Sequence, residues 1–262
     1  MHNPALQACG IEAQYVRVQV PIGHVQEAFG LFQRQGFLGV NITIPHKFEA
    51  LDAVDVIDPL AQKLGAVNTL AIRNGQLFGY NTDGPGFLRS VQEAFSAEVK
   101  DLRILIIGAG GGAGRAVAVQ SVLAGCKSLL LANRTECKLQ PLLAELHQCA
   151  NGQTSLQTCS LDAHDLAKRL STVDLIINAT SLGMKAEDKA LLPAGCLESR
   201  HLVYDMVYRA NEPTELMQQA KAAGAKQADG MCLLLHQGAI SFEHWFDQPA
   251  PIEAMRTGLL AA

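Results

Sequence analysis

Hydrophobic and polar positions alternate along much of the first third of the chain, which is typical of strands with one buried face. Stretches with apolar side chains at helical spacing interrupt these strands, and glycine or proline marks their ends. The Asn74-Gly75 pair joins two alternating segments and predicts a β-hairpin. The predicted elements are strands at residues 13–20 and 39–44, helices at 25–36, 46–55 and 85–99, and the hairpin at 66–83.

From residue 102 the pattern changes to continuous apolar runs. Strands that are buried on both faces of a parallel sheet have this pattern. Four such strands are predicted, at residues 102–107, 128–135, 173–184 and 201–208. Their alternation with helical stretches predicts an α/β fold with a doubly wound parallel sheet. Residues 230–246 predict a long terminal helix with apolar side chains on one side.

The composition is that of a globular protein without general affinity for nucleic acid. Hydrophobic residues make up 48% and charged residues 18% of 262 residues, enough for one large or two medium domains. A net charge of -4 argues against a basic face for phosphate backbones. The sequence lacks an apolar run of ~18 residues, so a membrane span is not predicted. A secretory signal is not predicted either, because the N-terminus lacks a basic region before an apolar core.

Seven cysteines are scattered along the chain, an odd number without a CxxC pair. This pattern argues against a disulfide framework or a zinc site and favours a reducing compartment. We expect a cytoplasmic enzyme without a metal, acting on a small molecule as a monomer or homodimer.

A glycine-rich turn follows the first continuous apolar strand and opens a helix. Gly108, Gly110 and Ala113 match the pattern GxGxxA. In a dinucleotide site the glycines allow a tight turn and a close approach of backbone to pyrophosphate, and the small residue lets the helix meet the sheet. The helix N-terminus offers free N–H groups to phosphate. We expect the turn to bind a dinucleotide through Gly108, Gly110, Gly111, Gly112 and Ala113, with a merely structural turn as the alternative.

The end of the next continuous strand indicates which dinucleotide is bound. An NAD site usually has Asp or Glu there, whereas an NADP site has positive charge. This strand ends in Asn133-Arg134-Thr135, and Lys138 follows. We expect Arg134 to pair with the 2′-phosphate and Lys138 to add charge, so NADP is predicted over NAD. The alternative is a solvated Arg and Lys at a helix start, with Glu136 weakening the preference.

Eight stretches together resemble the shikimate dehydrogenase family. In family order they are VNITIPHK, AVNTL, GYNTDGPGF, GAGGGAGRA, ANRT, NATSLGM, YDMVY and GMCLLLHQGAISFEHW. The resemblance implies two domains, an N-terminal α/β substrate domain at 1–84 and a Rossmann-type NADP-binding domain at 85–229, with a cleft between them. It implies that residues 230–262 return to the substrate domain as a C-terminal helix. The implied activity is the reversible, NADP-linked reduction of 3-dehydroshikimate to shikimate, in the chorismate pathway to aromatic amino acids.

The resemblance places the family's catalytic lysine at Lys47 and its partner aspartate at Asp83. Oxidation of a secondary alcohol needs a group that takes the hydroxyl proton and returns it in the reverse direction. Because a carboxylate favours the charged ammonium, Asp83 is expected to orient Lys47 and to bind a hydroxyl. The alternatives are a solvated lysine at a strand end and an aspartate that caps the helix after it.

The other site residues are also implied by the resemblance. Around the substrate ring it places Thr43, Asn68, Asp83 and Gln237, and near the carboxylate and nicotinamide it places Tyr208. On the cofactor side it places Asn178, Thr180, Met184, Met206 and Gly230. A polyol needs paired donors and acceptors, which these residue types supply. Asn68 as a turn residue and Gln237 as a solvated helix position are the alternatives, and His46 is interpreted as structural.

Three departures from the family pattern affect these expectations. In one of them, DMVYRANEPTEL lacks the usual proline two residues after the tyrosine, which leaves the shape of that loop open. Family members begin with a strand and a loop whose two serines bind the shikimate carboxylate, whereas this sequence begins MHNPALQACG, at the helix that follows. We therefore expect a substrate domain without that strand and loop, through a misplaced start codon or as a short form with altered activity. The stretch GAGGGAGRA also has one glycine more than the usual GAGGAGRA, which leaves open which glycine faces which phosphate.

Three other functions remain compatible with the sequence. They are a quinate/shikimate dehydrogenase of broader specificity, an NADP-binding pseudoenzyme that acts as a regulator, and a reductase for another carbonyl such as an aminoshikimate-like substrate. The Lys47 and Asp83 pair argues for an enzyme, and the absent serines argue for the pseudoenzyme.

Overall fold

The computed structural model describes residues 1–150, 152–185, 187–209 and 212–261. The chain forms two compact units. Unit 1 comprises Met1–Gly86 and Leu234–Ala262, and unit 2 comprises Phe87–Leu233. Among the described residues, every helix is too short or too polar to cross a membrane.

The helices and strands follow one another with two short 3-10 helices between them. In chain order they are α1 (His2–Ala8), α2 (Val25–Arg34), β1 (Gly39–Asn41), α3 (Glu49–Asp52), β2 (Val56–Ile57), α4 (Pro59–Leu64), β3 (Thr69–Arg73), β4 (Gln76–Tyr80), α5 (Asp83–Phe95), the 3-10 helix Val99–Asp101, β5 (Arg103–Ile107), α6 (Gly112–Leu123), β6 (Ser128–Ala132), the 3-10 helix Glu136–Lys138, α7 (Leu139–Cys149), β7 (Ser155–Cys159), α8 (Ala163–Leu170), β8 (Leu175–Asn178), β9 (Leu202–Asp205), α9 (Glu215–Ala222), β10 (Lys226–Asp229), α10 (Gly230–Phe246) and α11 (Ile252–Leu260).

Unit 1 contains a four-stranded sheet in the order β1-β3-β4-β2. Strand β3 is antiparallel to β1 and β4, and β2 is parallel to β4. The predicted hairpin is confirmed as β3 and β4. Its turn residues Asn74 and Gly75 have φ of 50° and 74°. Positive φ at both positions matches the right-handed twist of the strands, which is why Asn-Gly specifies this turn.

The predicted helix at 25–36 is confirmed as α2, which covers the core of unit 1. Its apolar positions Val25, Phe29 and Phe32 are buried against residues such as Ile42 and Leu70. Beyond its end, Gly36 has φ of 74°, a conformation that glycine adopts at little cost after a helix.

The strand predicted at residues 13–20 is wrong. These residues are irregular, and the side chains of Val16 and Val18 are about half exposed. Alternation describes a possible strand face, but a strand also needs a neighbour for its N–H and C=O groups. Here Asn3 exchanges two hydrogen bonds with the backbone of Tyr15, and the His46 ring bonds to the Val20 carbonyl. Hydrogen bonds to the side chains of Asn3 and His46 therefore take the place of the backbone hydrogen bonds that a paired strand would supply.

Unit 2 contains a six-stranded sheet in the order β10-β9-β8-β5-β6-β7, and each neighbouring pair is parallel. This is the doubly wound arrangement predicted from the continuous apolar runs. The strand order reverses between β5 and β8, because β6 and β7 are added on one side of β5 and β8, β9 and β10 on the other. Residues Ile104 to Ile107 of β5 are wholly buried, as a central strand requires. The edge strands β7 and β10 were not predicted, because their sequences, SLQTC and KQAD, are short and largely polar.

The predicted terminal helix is confirmed as α10, and its last turns lie on the sheet of unit 1. Trp245 Nε1 donates to the Leu70 carbonyl over 2.8 Å. A Cβ on Gly39 would lie 2.1 Å from the same Nε1, so only glycine fits in β1 beneath the indole ring. This packing aligns the inner face of α10 with β1 and β3.

Candidate active site

Lys47 and Asp83 form an ion pair in unit 1. Lys47 Nζ lies 2.6 Å from Asp83 Oδ2, and both side chains are about one quarter exposed. Lys47 lies in the turn after β1, where the Thr43 carbonyl accepts from the His46 N–H and the Lys47 carbonyl accepts from the Val67 N–H. Both bonds hold the lysine backbone while its ammonium stays accessible.

Asn81 provides the cap at the start of α5. Its Oδ1 accepts from the N–H groups of Asp83 and Gly84, over 3.1 and 3.3 Å. The Asp83 carboxylate is thereby available to the Lys47 ammonium, and its negative charge lies at the positive end of the helix dipole. Asn81 was missed in the sequence, although an Asn two residues before a helix is a recognised turn signal.

Asn68 connects the segment before Thr43 with the segment before Asp83. Its carbonyl accepts from the Ile42 N–H over 2.7 Å, beside Thr43. Its side-chain Oδ1 accepts from the N–H of Thr82, the residue before Asp83, over 2.8 Å. Asn68 is 2% exposed, so a solvated turn residue does not describe it.

Gln237 and Thr43 lie at the edges of the same region. The backbone of α10 at Gln237 touches the first turn of α5, where a Cβ on Gly86 would lie 2.8 Å from the Gln237 nitrogen. The Gln237 side chain is half-buried, and Thr43 is exposed. In unit 1 the Lys47 ammonium thus contacts the Asp83 carboxylate directly, and the backbone at Asn68 and at Gln237 contacts the neighbouring segments. The His46 ring bonds to the Val20 carbonyl.

The glycine turn of unit 2 joins β5 to α6. Gly108 has φ of 90°, and a Cβ there would lie 2.7 Å from Thr180 Cγ2. A Cβ on Gly110 would lie 2.9 Å from Asn133 Nδ2. Helix α6 begins at Gly112 with Gly111 as its N-cap, and both are exposed. The turn leaves a shallow cradle at a helix N-terminus, which suits a phosphate group.

The close contact of helix with strand is made by Gly114 rather than by Ala113. Ala113 is exposed, whereas Gly114 is buried, and a Cβ on Gly114 would lie 2.4 Å from the Gly108 carbonyl oxygen. The additional glycine shifts the small-residue position by one, so the spacing is GxGxxxG in this chain. The expectation for Ala113 is corrected in this respect.

The four residues predicted to choose the cofactor follow β6. Asn133 Nδ2 donates to the Thr135 carbonyl over 2.8 Å, which closes a turn, and a Cβ on Gly110 would lie 3.0 Å from Lys138 Cβ. Arg134, Thr135 and Lys138 are exposed at the carboxyl end of the sheet. Lys138 thus lies beside the glycine turn, and the exposed Arg134 lies in the same segment after β6.

Strands β8 and β9 are linked at their carboxyl ends by Asp205, which sequence reasoning missed. Its carboxylate accepts from Asn178 Nδ2 over 2.8 Å and from the Thr214 hydroxyl. Burial raises the pKa of the Asp205 carboxyl above its ordinary value, against the effect of these hydrogen bonds. Thr180 donates to Asn178 Oδ1 over 2.7 Å, so Asp205 indirectly orients Thr180 beside Gly108.

Met206, Tyr208 and Gly230 are neighbours in unit 2. A Cβ on Gly230 would lie 2.3 Å from the Met206 carbonyl oxygen and 3.2 Å from Tyr208 Cδ1. The Met206 N–H donates to the Asn178 carbonyl over 3.0 Å. Tyr208 and Met184 are largely exposed, at 51% and 64%.

Sequence profiles of one family match three parts of the chain. Residues 1–70 match the shikimate dehydrogenase substrate binding domain, and residues 89–190 match shikimate / quinate 5-dehydrogenase. Residues 233–259 match the shikimate 5'-dehydrogenase C-terminal domain.

Curated relatives and solved structures agree with these matches. A shikimate dehydrogenase (NADP(+)) of Symbiobacterium thermophilum is 38% identical, over 100% of this chain and 88% of the relative. The structure of shikimate 5-dehydrogenase from Thermus thermophilus in complex with NADP(H) and shikimate has a TM-score of 0.84 at 32% identity, covering 98% of this chain and 91% of that chain. Quinate dehydrogenase from Corynebacterium glutamicum in complex with NAD has a TM-score of 0.89 at 28% identity, covering 100% of this chain and 93% of that chain. With identity, coverage and fold in agreement, the chain belongs to the shikimate dehydrogenase family.

Proposed function

We propose that this protein is an NADP-dependent shikimate dehydrogenase, which reversibly reduces 3-dehydroshikimate to shikimate in the chorismate pathway to aromatic amino acids. The observation that carries the proposal is the Lys47–Asp83 pair, at 2.6 Å and accessible beside buried Asn68. An ammonium held by a carboxylate next to amide groups suits a substrate that carries hydroxyl groups and a ketone.

Lys47 acts as the general acid and base. In the direction of reduction its ammonium donates a proton to the ketone oxygen as that oxygen gains negative charge, and in oxidation it takes the hydroxyl proton back. Asp83 stabilises the charged ammonium and directs it, and it accepts a hydrogen bond from a substrate hydroxyl. Thr43, Asn68 and Gln237 bind the other oxygens of the ring, and Tyr208 binds near the carboxylate.

The cofactor is held by unit 2. The turn of Gly108, Gly110 and Gly111 lets the pyrophosphate approach the N-terminus of α6, which Gly112 begins. The N–H groups of Gly108 and Gly111 shape this turn by donating to the Ala132 and Gly108 carbonyls. Asn133, Arg134, Thr135 and Lys138 surround the 2′-phosphate, which the two cations neutralise. Thr180, Met206 and Gly230 wall the nicotinamide, and Ala113 lies at the rim of the phosphate turn. Bound NADPH supplies the hydride for reduction.

Unit 1 serves as the substrate domain and unit 2 as the NADP domain in this proposal. The domain ranges proposed from the resemblance are 1–84, 85–229 and 230–262. The seven cysteines, which all lie among the described residues, are not joined by disulfides, and this supports a reducing compartment such as the cytoplasm.

Turnover assays test the proposal. The purified protein is given shikimate and NADP+, and formation of NADPH is followed by absorbance, with quinate and NAD+ as comparison substrates. We expect saturable turnover that is fastest with shikimate and NADP+. Equal or faster turnover of quinate would favour the broader dehydrogenase, and binding of NADP+ without turnover of either polyol would favour the pseudoenzyme.

A further inference from the structure

A group of polar side chains lies buried behind Asn68 in unit 1. Thr69, Thr82 and Ser241 are each 0% exposed. Ser241 Oγ lies 2.8 Å from Thr69 Oγ1 and 3.3 Å from Thr82 Oγ1. Buried hydroxyl groups are costly unless each finds partners, so this group has a specific hydrogen-bonding arrangement.

The orientation of the Asn68 amide follows from its partners. The Thr82 backbone N–H can only donate, and it lies 2.8 Å from Asn68 Oδ1, so the oxygen faces it. The Thr69 hydroxyl donates to the same oxygen over 3.1 Å, which occupies the second lone pair. Asn68 Nδ2 then donates one hydrogen to Thr82 Oγ1 over 3.0 Å. The Thr82 hydroxyl also lies 3.3 Å from Asn68 Oδ1, so this oxygen is fully used. Among the partners that the described residues supply, one N–H of Asn68 is left for a ligand.

Further hydrogen bonds surround the Thr69 hydroxyl. The Tyr15 hydroxyl donates to Asn41 Oδ1 over 3.0 Å, and Asn41 Nδ2 donates to Ser241 Oγ over 2.8 Å. Ser241 Oγ also donates to the Gln237 carbonyl over 3.0 Å and lies 2.8 Å from Thr69 Oγ1. The Thr69 hydroxyl is therefore held between Ser241 Oγ and Asn68 Oδ1.

We propose that Thr69 and Ser241 are positioning residues, which hold the Asn68 amide so that it presents a donor N–H to a substrate oxygen. The proposal rests on the proposed function, in which Asn68 binds the substrate ring. Without the Thr69 hydroxyl, Asn68 Oδ1 loses one of the donors that hold it, and the amide rotates more freely. The site then binds a hydroxyl or ketone oxygen less well, whereas cofactor binding in unit 2 is unchanged.

The first experiment replaces the hydroxyl by a methyl group of similar size. In Thr69→Val we expect the KM for shikimate to rise about 5- to 10-fold, the loss of roughly one hydrogen bond, with less than about a twofold change in the KM for NADP+. Thr69→Ser keeps the hydroxyl and should restore the KM. Thr154→Val is the matched control, because Thr154 is a buried threonine of unit 2 that donates to the Cys126 carbonyl. An unchanged shikimate KM in Thr69→Val would overturn the proposal.

A double-mutant cycle asks whether Thr69 acts through Asn68. In the Asn68→Ala background, Thr69→Val should add no further rise in KM, whereas additive effects would contradict a positioning role. Ser241→Ala repeats the test if Thr69→Val does not fold. If Asn68→Ala itself leaves the shikimate KM unchanged, the substrate role of Asn68 in the proposed function fails instead.

A measurement without turnover separates the two proposals. The side-chain amide signals of Asn68 are assigned by NMR from their loss in Asn68→Asp. In the wild type we expect two sharp, well-separated NH2 signals, and in Thr69→Val we expect broadening from amide rotation. Equally sharp signals in the variant would refute the positioning role even in a protein that turned over neither polyol.

Discussion

Lys47 Nζ lies 2.6 Å from Asp83 Oδ2, although 36 positions separate the two residues in the sequence. The lysine lies in the turn after β1, and the aspartate lies in the first turn of α5. Asn81 caps that helix, so the aspartate remains available for the lysine. This relationship distinguishes a held ammonium from a solvated lysine at a strand end.

Removal of the ammonium should slow catalysis more than it weakens binding. For Lys47→Ala we expect turnover to fall by more than about 100-fold with little change in the KM for shikimate, because proton transfer is lost in the transition state. Steady-state kinetics measure both constants. Lys63→Ala, at an exposed lysine of α4, should behave as the wild type. A rise in KM alone would contradict the acid–base role.

Neutralising the aspartate tests its part in orienting the lysine. For Asp83→Asn we expect kcat/KM to fall by about 10- to 100-fold, because the neutral amide holds the ammonium less firmly. The free energy of unfolding should change by less than about 1 kcal/mol, since the pair is partly exposed and Asn81 provides the cap. Asp52→Asn, at an exposed site on α3, is the control. A large loss of stability with normal kinetics would identify a structural residue.

The cation after β6 should determine the preference between the two cofactors. For Arg134→Gln we expect the KM for NADP+ to rise about 10-fold or more while the KM for NAD+ stays nearly constant, because only NADP+ has the 2′-phosphate. Lys127→Gln removes an exposed charge just before the other end of the same strand and should change neither constant. A wild type that prefers NAD+ would reject the predicted specificity.

The position of the small residue in α6 can be tested by two alanine substitutions. Gly114→Ala places a Cβ 2.4 Å from the Gly108 carbonyl, so the helix must move away from β5. We expect the variant to lose about 1–3 kcal/mol of stability, as overpacked sites do, and to bind NADP+ more weakly. Gly112→Ala has open space around its Cβ and should retain the wild-type stability. Thermal unfolding and NADP+ titration measure the two properties of Gly114→Ala, and an equal loss of stability at both positions would refute this assignment.

A buried histidine should make unit 1 less stable in mild acid. Burial lowers the pKa of His2 from 6.5 to about 4, and the positive charge of the N-terminal amino group acts in the same direction. Between these values the unfolded chain binds more protons than the folded chain. Stability should therefore decrease by up to about 3 kcal/mol as the pH falls from 6.5 towards 4.

Trp245 provides a probe for this effect, because it is the single tryptophan and its ring lies 5.1 Å from the His2 ring. Urea unfolding followed by its fluorescence at pH 7.5 and pH 5 should show a smaller pH effect in His2→Phe than in the wild type. His147→Gln, at an exposed histidine of α7, should retain the wild-type difference. An unchanged difference in His2→Phe would mean that other groups cause the loss.

Local patterns predicted the parts of the fold whose structure follows from the residues of one short segment. The β5, β6, β8 and β9 strands are continuous apolar runs, and the Asn74-Gly75 turn needs positive φ at both positions. Patterns failed for residues 13–20, whose alternation lacks a paired strand, and for the polar edge strands β7 and β10. Strand formation depends on a neighbour that sequence periodicity does not reveal.

The residues of the candidate site could be identified from the sequence, because its motifs contain the residue types that the proposed chemistry needs. Lys47, Asp83, the glycine turn and Arg134 were all found there. Tertiary structure decided what lies beside them: the distance from Lys47 to Asp83, the close contact at Gly114, and the Asp205 link between strands. It also decided which way the Asn68 amide faces, through the Thr82 N–H and the Thr69 hydroxyl, which in turn contacts Ser241 from a distant part of the chain. The physical reason is that hydrogen bonds and van der Waals contacts act over a few ångströms in space, and only the folded chain brings these residues that close.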